Sequence, residues 1–249
     1  MTDTIKTAIA DGVMTIALDR PEKKNALDQA MYGKLVSAFE EAACEDAVRV
    51  VLVKGVPGSF SAGNDIKDFV TRASGGDAGE ETARFLRILA GFRKPLVAAV
   101  DGLAIGIGTT MLMHFDLVYS SPASLFRTPF LDLGLVPEAG SSLIAPRLMG
   151  HTQAFALLVA GEPFNAERAT RANIVTEIVA ADALEAHALK AAASLAAKPP
   201  EALRIARALV RGDEAGILER IEVEIRHFAE RLRSTEAREA FTAFMNRSR

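Results

Sequence analysis

From residue 5 to about residue 195 the sequence alternates between short β-branched runs and amphipathic stretches, and then the strand signals stop. This alternation is the strongest constraint on the fold, because strands separated by helices close into an α/β core. Ile5–Ile9 and Val13–Leu18 bracket Asp11-Gly12, a pair suited to a two-residue hairpin turn. Asp28 suits the cap of a helix in which Met31, Leu35 and Phe39 recur at every fourth position. Val48–Val53, Leu96–Val100 and Leu117–Ser120 read as buried strands. Gly55–Gly63 reads as a turn-rich loop, Gly75–Gly79 as a mobile loop, and Glu80–Phe92 as a helix ended by Lys94-Pro95. Beyond Pro199-Pro200, Ile217, Ile221, Ile225, Phe228 and Leu232 recur at helical spacing. The chain therefore divides into an α/β core over 1–195 and a helical C-terminal region over 196–249.

Bulk properties exclude several function classes. A length of 249 residues with 49% hydrophobic side chains supports one large core. The net charge of −3 gives no overall basic field, so neither nucleic acid nor an anionic membrane is an expected partner. Cys44 is the single cysteine and cannot form an internal disulfide, which suits a reducing compartment. The start, Met1-Thr2-Asp3-Thr4, lacks the features of a signal peptide, so the cytoplasm is expected. Leu96–Phe115 is the most apolar stretch, but Asp101 interrupts it, and it reads as strand and helix rather than a membrane span. The four histidines do not cluster, so no metal site is predicted, and His114 reads as a satisfied core residue. Gly102–Gly108 has the order G-x-x-x-G-x-G, which is not the dinucleotide fingerprint. Ser141-Ser142 lacks the G-x-S-x-G of a nucleophile elbow.

Three segments carry candidate chemistry. Ser59–Asp65 and Asp101–Gly108 are glycine-bearing. Such loops either present backbone N–H groups to an oxyanion or simply turn the chain and let a helix pack closely. Glu138 follows Leu133, Leu135, Val136 and Pro137. It is either a proton-transfer group or an acidic residue in the first turn of a helix starting near Pro137.

In order along the chain, Arg20-Pro21 through Asn25-Ala26-Leu27, Phe60–Ile66, Gly102–Gly108 and Leu133–Gly140 resemble the crotonase superfamily, the enoyl-CoA hydratases and isomerases. The likeness runs from the hairpin to the last helix. It implies a spiral of ββα units (ClpP-like) with a helical trimerisation region, and a homotrimer or dimer of trimers. Thr128-Pro129-Phe130 followed by Leu133–Ser142 is similar to the peroxisomal-type Δ3,Δ2-enoyl-CoA isomerases, and Gly63-Asn64-Asp65 points the same way. That branch uses one catalytic glutamate, here at Glu138.

The resemblance assigns the oxyanion donors to the backbone of Asn64 and Ile107. It places Lys24, Ala26 and Arg247 against the CoA moiety, with Ala62, Asp65 and Ile66 on the adenine side. Asp65 alternatively caps the following helix. Hydratases use two glutamates, which would fall at Thr110 and Phe130, and neither is acidic here. The expected activity is therefore Δ3,Δ2-enoyl-CoA isomerisation of an acyl-CoA thioester within fatty acid β-oxidation. Phe130 would form an apolar wall, and an apolar surround would raise the Glu138 pKa. No cofactor is required, because coenzyme A is part of the substrate and the thioester is the electron sink. The rivals are a hydratase or another CoA-ester reaction on this scaffold, and a non-catalytic CoA-binding or interaction module. A hydratase needs a second acid, for which Asp132 is nearest in sequence, but a strand pattern over Leu131–Leu133 points it away. Asn173 stands where the family usually has glycine, and asparagine tolerates the left-handed conformation at a helix end.

Overall fold

The computed structural model describes residues 3–73 and 79–247. The hairpin forms as the sequence predicts. Strands β1 (Ile5–Ala10) and β2 (Val13–Leu18) pair antiparallel with Ala10 opposite Val13. Asp11 and Gly12 both take positive φ, as the tight turn requires. Helix α1 (Gln29–Cys44) starts at Asp28, whose side chain accepts from the Met31 N–H.

Behind β2 lie the three predicted buried strands and a fourth, short one that the sequence pattern does not announce. β3 (Val50–Lys54), β5 (Leu96–Val100), β7 (Leu117–Ser120) and the short β10 (Glu177–Ile178) extend a six-stranded sheet in the order β1-β2-β3-β5-β7-β10. Every pair after the hairpin is parallel. One face packs on α1 and α3 (Glu80–Gly91). The other is covered by α7 (Leu184–Ala196), whose Ala188, Ala192 and Ala196 are buried on the sheet. These alanines form a helix face whose small side chains permit close approach. The Gly75–Ala78 part of the predicted loop lies outside the described residues, and Gly79 immediately precedes α3.

A second sheet was not legible in the pattern. β4 (Ser59–Ser61), β6 (Leu103–Ile105), β8 (Leu125–Arg127) and β9 (Phe164–Asn165) form it in that order. Part of Gly55–Gly63 is therefore strand, not loop. The predicted helix after Gly106 is only one α-turn, α4 (Ile107–Thr110), continued by a 3-10 segment to His114. Leu131–Leu133 is also a 3-10 turn and not a strand. Asp132 still faces outward, ion-paired with Arg127 at 2.9 Å. Asn173 follows α6 (Ala166–Arg171) with φ 58°, the left-handed position the sequence predicts.

The C-terminal region is helical, with α8 (Pro200–Arg211), α9 (Glu214–Leu232) and α10 (Thr235–Arg247). α9 packs on α3 and on α5 (Ser141–Leu158), and α10 packs on α2 (Ile66–Ala73). Phe69, Phe228 and Phe241 share one apolar cluster there.

Candidate active site

Two loops meet backbone to backbone beside the second sheet. Gly63 has φ 91°, and a Cβ added there would stand 2.9 Å from the Ile105 carbonyl oxygen. Gly106 has φ 55° and faces the Gly63 Cα at 4.0 Å by the same measure. No larger residue fits between the loops at Gly63 without displacing backbone. The residues that immediately follow these glycines are Asn64 and Ile107.

Both amides point away from their own chain's ladders. Leu27 donates to the Gly63 carbonyl and accepts from the Asp65 N–H, each at 2.8 Å, in a parallel bridge with Asn64. In a parallel ladder the residue opposite such a double bond turns its own N–H to the other side. Ile107 opens α4, where an N–H has no acceptor within the helix. Its side chain is fully buried in the main core.

The first loop is fastened to the segment before it. The buried Asn25 donates from Nδ2 to the carbonyls of Ser59 and Phe60, and its Oδ1 accepts from the Arg20 N–H. Lys24 takes a left-handed φ of 51°, and its carbonyl accepts from the Ala62 N–H. Arg20 reaches the Ala26 carbonyl at 2.9 Å and Asp65 at 3.1 Å. Tyr32, buried in α1, donates from its hydroxyl to Asn64 Oδ1 at 2.5 Å.

Glu138 is 4% exposed and lines one cleft with Asn64, Phe69, Leu86, Glu224 and Phe228. It does not sit in the first turn of a helix. α5 begins at Ser141, and Glu138 precedes it in a turn where Ala139 has φ 62° and Gly140 φ 69°. The helix starts late because Gly140, in the left-handed region, is its cap. Two groups hold this turn from behind. The neutral His114 donates from Nε2 to the Ala139 carbonyl at 2.7 Å and accepts from Arg211 at Nδ1, 3.2 Å. Glu224 of α9 accepts from the Gly140 N–H at 2.6 Å and from the Ser142 N–H at 3.0 Å. His114 is the satisfied core residue that its apolar helix predicts. Glu224 was missed, although its register with Ile217, Ile221 and Phe228 sets a carboxylate on an apolar stripe.

The other predicted residues divide as follows. Ala62, Ile66 and Phe130 line a neighbouring apolar cavity that shares Asn64, Phe69 and Phe228 with the Glu138 cleft. Asp65 caps α2, its Oδ1 accepting from the Lys67 N–H at 3.0 Å, which is the alternative the sequence left open. The Lys24 side chain is exposed. Arg247 ends α10, and its side chain lies outside the described residues. Thr110 is buried, with its hydroxyl turned back to the Gly106 carbonyl. Among the described residues no group of His, Cys, Asp and Glu could hold a metal ion, and no helix is long and apolar enough to cross a membrane.

The family model described as "Enoyl-CoA hydratase/isomerase" matches residues 8–249. The chain is 35% identical over 243 residues to enoyl-CoA delta isomerase 2 of Rattus norvegicus, covering 95% of this chain and 62% of that protein. It thus spans about three fifths of the length of that relative. It is 29% identical to the 2,3-dehydroadipyl-CoA hydratase of Escherichia coli K12, over 94% of this chain and 92% of that one. A crystal structure of an enoyl-CoA hydratase/isomerase from Pseudoalteromonas atlantica T6c superposes with a TM-score of 0.93 at 36% identity, covering 98% of both chains.

The His114 contact predicts a pH effect. Burial pulls the His114 pKa from 6.5 down to about 4, although the hydrogen bond to Ala139 acts the other way. As pH falls between these values the unfolded chain binds the proton and the folded one does not. Stability is therefore lost over that window, on the order of 3 kcal/mol. His114→Gln does not titrate, so thermal melts between about pH 7 and about pH 4.5 should show a shallower decline than the wild type. Parallel declines would contradict this.

Proposed function

The chain belongs to the enoyl-CoA hydratase/isomerase family, and within it we propose a Δ3,Δ2-enoyl-CoA isomerase that moves a C3 double bond into conjugation with a CoA thioester. The observation that carries the reading is the placing of Glu138 and Asn64 in one apolar cleft, and it is supported by the sequence resemblance, which puts Thr110 and Phe130 at the positions of a hydratase's two glutamates. Glu138 takes a proton from C2. The electron pair of that C–H bond passes into the thioester, giving a dienolate whose oxygen accepts from the Asn64 and Ile107 N–H groups. Glu138 then returns the proton to C4, and the double bond comes to rest between C2 and C3. Losing one such donor typically costs about 3–4 kcal/mol of transition-state stabilisation. The thioester is the electron sink, so no cofactor enters.

Hydration needs a water held between two acid/base groups. Glu224 lines the cleft, but both its oxygens already accept from Gly140 and Ser142. Phe130 supports the isomerase by walling the adjoining cavity with apolar surface, which keeps water from the conjugated product. A hydratase is the second reading, favoured by the hydratase names of several relatives. In the proposed complex Lys24 and Arg247 meet the CoA phosphates, and Ala26, Ala62, Asp65 and Ile66 line the path of the nucleotide.

β-Oxidation in the cytoplasm is the proposed setting, consistent with the unpaired, exposed Cys44. The helical region over 196–249 is proposed to build a homotrimer or dimer of trimers. α8 turns Arg207 inward to Asp116 and leaves Ile205, Leu209 and Val210 at 46%, 78% and 89% exposure. Such an apolar face favours a protein partner over water. Sedimentation equilibrium should return three or six copies, and a monomer would contradict the assembly.

The activity is tested by following ultraviolet absorbance of the conjugated enoyl thioester with 3-hexenoyl-CoA and, separately, 2-hexenoyl-CoA. A rise with the first and no loss with the second are expected. Glu138→Gln should lower turnover by about 1,000-fold or more while still binding CoA esters. Loss of absorbance from the second substrate would establish hydration instead. Silence with both would point to another CoA ester or a non-catalytic module.

A further inference from the structure

Glu224 sits where a charge is costly, on the inward stripe of α9 at 6% exposure. Its neighbours explain its position. Oε2 accepts from the Gly140 N–H at 2.6 Å. Oε1 accepts from the Ser142 N–H at 3.0 Å and from the Ser142 hydroxyl at 2.5 Å. That hydroxyl in turn accepts from Arg220 at 3.2 Å. A carboxylate from a distant helix, more than eighty residues along the chain, thus caps the start of α5. The Gly140 cap residue has no side chain with which to do so.

We propose that Glu224 is a positioning residue that clamps the Glu138–Ser142 turn and occupies the donors at the start of α5, so that those donors do not weaken Glu138 as a base. This rests on the isomerase reading for its kinetic consequence, but its electrostatic part does not. The first N–H groups of a helix favour a nearby negative charge. Glu138 lies three residues before α5, within reach of that field. With Glu224 ionised and bound there, the positive end of α5 is already met, and a second carboxylate gains less from it. Like charge across the same cleft acts in the same direction, holding the Glu138 carboxylate ready to take a proton.

Among the described residues, three further titratable groups stand near the turn. From α9, Arg220 lies against Ser142. From the 3-10 segment, His114 is neutral, and Arg211 of α8 stands behind it on the side away from Ala139. Among the described residues lining the cleft, Glu138 and Glu224 are the charged ones. Burial pushes the Glu224 carboxyl up, while Ser142, Gly140 and Arg220 hold it down. Glu224 is therefore expected to take up its proton at a higher pH than an ordinary glutamate.

The test compares Glu224→Gln and Glu224→Asp with the wild type. The readout is the carbon-13 titration of the Glu138 carboxyl, assigned by its loss in Glu138→Gln, alongside the pH profile of kcat/KM on 3-hexenoyl-CoA. Glu224→Gln removes the charge and should move the Glu138 titration down by about 0.5–1 pH unit. It should also lower kcat about 10-fold with KM nearly unchanged. Glu224→Asp keeps the charge and should titrate near the wild type while losing kcat through its shorter reach. If Gln does not fold, Asp remains informative, since a titration shift there as large as one unit would contradict the charge argument. An unmoved Glu138 titration in folded Glu224→Gln, or a rise in KM at constant kcat, overturns the proposal. Failure of the wild type to turn over 3-hexenoyl-CoA overturns the isomerase reading alone, because the titration is read without turnover.

Discussion

The contact between Gly63 and the Ile105–Gly106 backbone is the constraint on which the site depends. Two chain segments from different strands approach until no Cβ fits between them at Gly63. That approach fixes the backbone next to Asn64 and Ile107, the residues that follow the two glycines, without relying on flexible side chains. Preorganisation of this kind matters because a donor that must move into place when charge develops returns part of its stabilisation as reorganisation cost. The contact is held from both sides. Asn25 ties the first loop to the segment before it, and Gly108 brings α4 against Ser61, where an added Cβ would lie 2.9 Å from the Ser61 carbonyl.

The carboxylate half of the site is built differently. Glu138 sits on a turn between a 3-10 segment and α5, with no sheet register to fix it. Its placement comes from packing by the C-terminal helices. α10 approaches Gly134 so closely that an added Cβ would stand 2.8 Å from the Ala237 nitrogen. α9 contributes Ile217 and Ile221 under Gly140, and Glu224 to the cap. The C-terminal helices thus complete the Glu138 cleft as well as covering the core. A substitution in α9 is expected to be felt at the chemistry even though the residue lies far away in sequence.

Much of this was legible because local signals and tertiary packing agree. The Asp11-Gly12 turn, the Asp28 cap and the runs at Leu96 and Leu117 each satisfy a local rule and find a matching neighbour. The second sheet was hidden because its strands have two or three residues each, too few for a period to register. The helix start after Glu138 was misplaced because Pro137 is a good first residue for a helix, whereas Ala139 and Gly140 adopt left-handed backbone that no local signal announces. Asn64, Ile107 and Glu138 drew attention through their motifs. Tyr32 and Glu224 did not, since each acts by holding a residue distant in sequence. A glutamate in register with isoleucines and phenylalanines on α9 was the available clue.

The central claim is that the two backbone amides polarise a thioester carbonyl. An isotope-edited infrared spectrum of a bound saturated acyl-CoA, labelled with carbon-13 at the carbonyl, reads this without requiring turnover. The account predicts a carbonyl stretch displaced to clearly lower frequency than for the same ester free in water, because two fixed donors aimed at one oxygen weaken its double bond more than mobile water does. A bound ester whose carbonyl stretch matches the free one would contradict it.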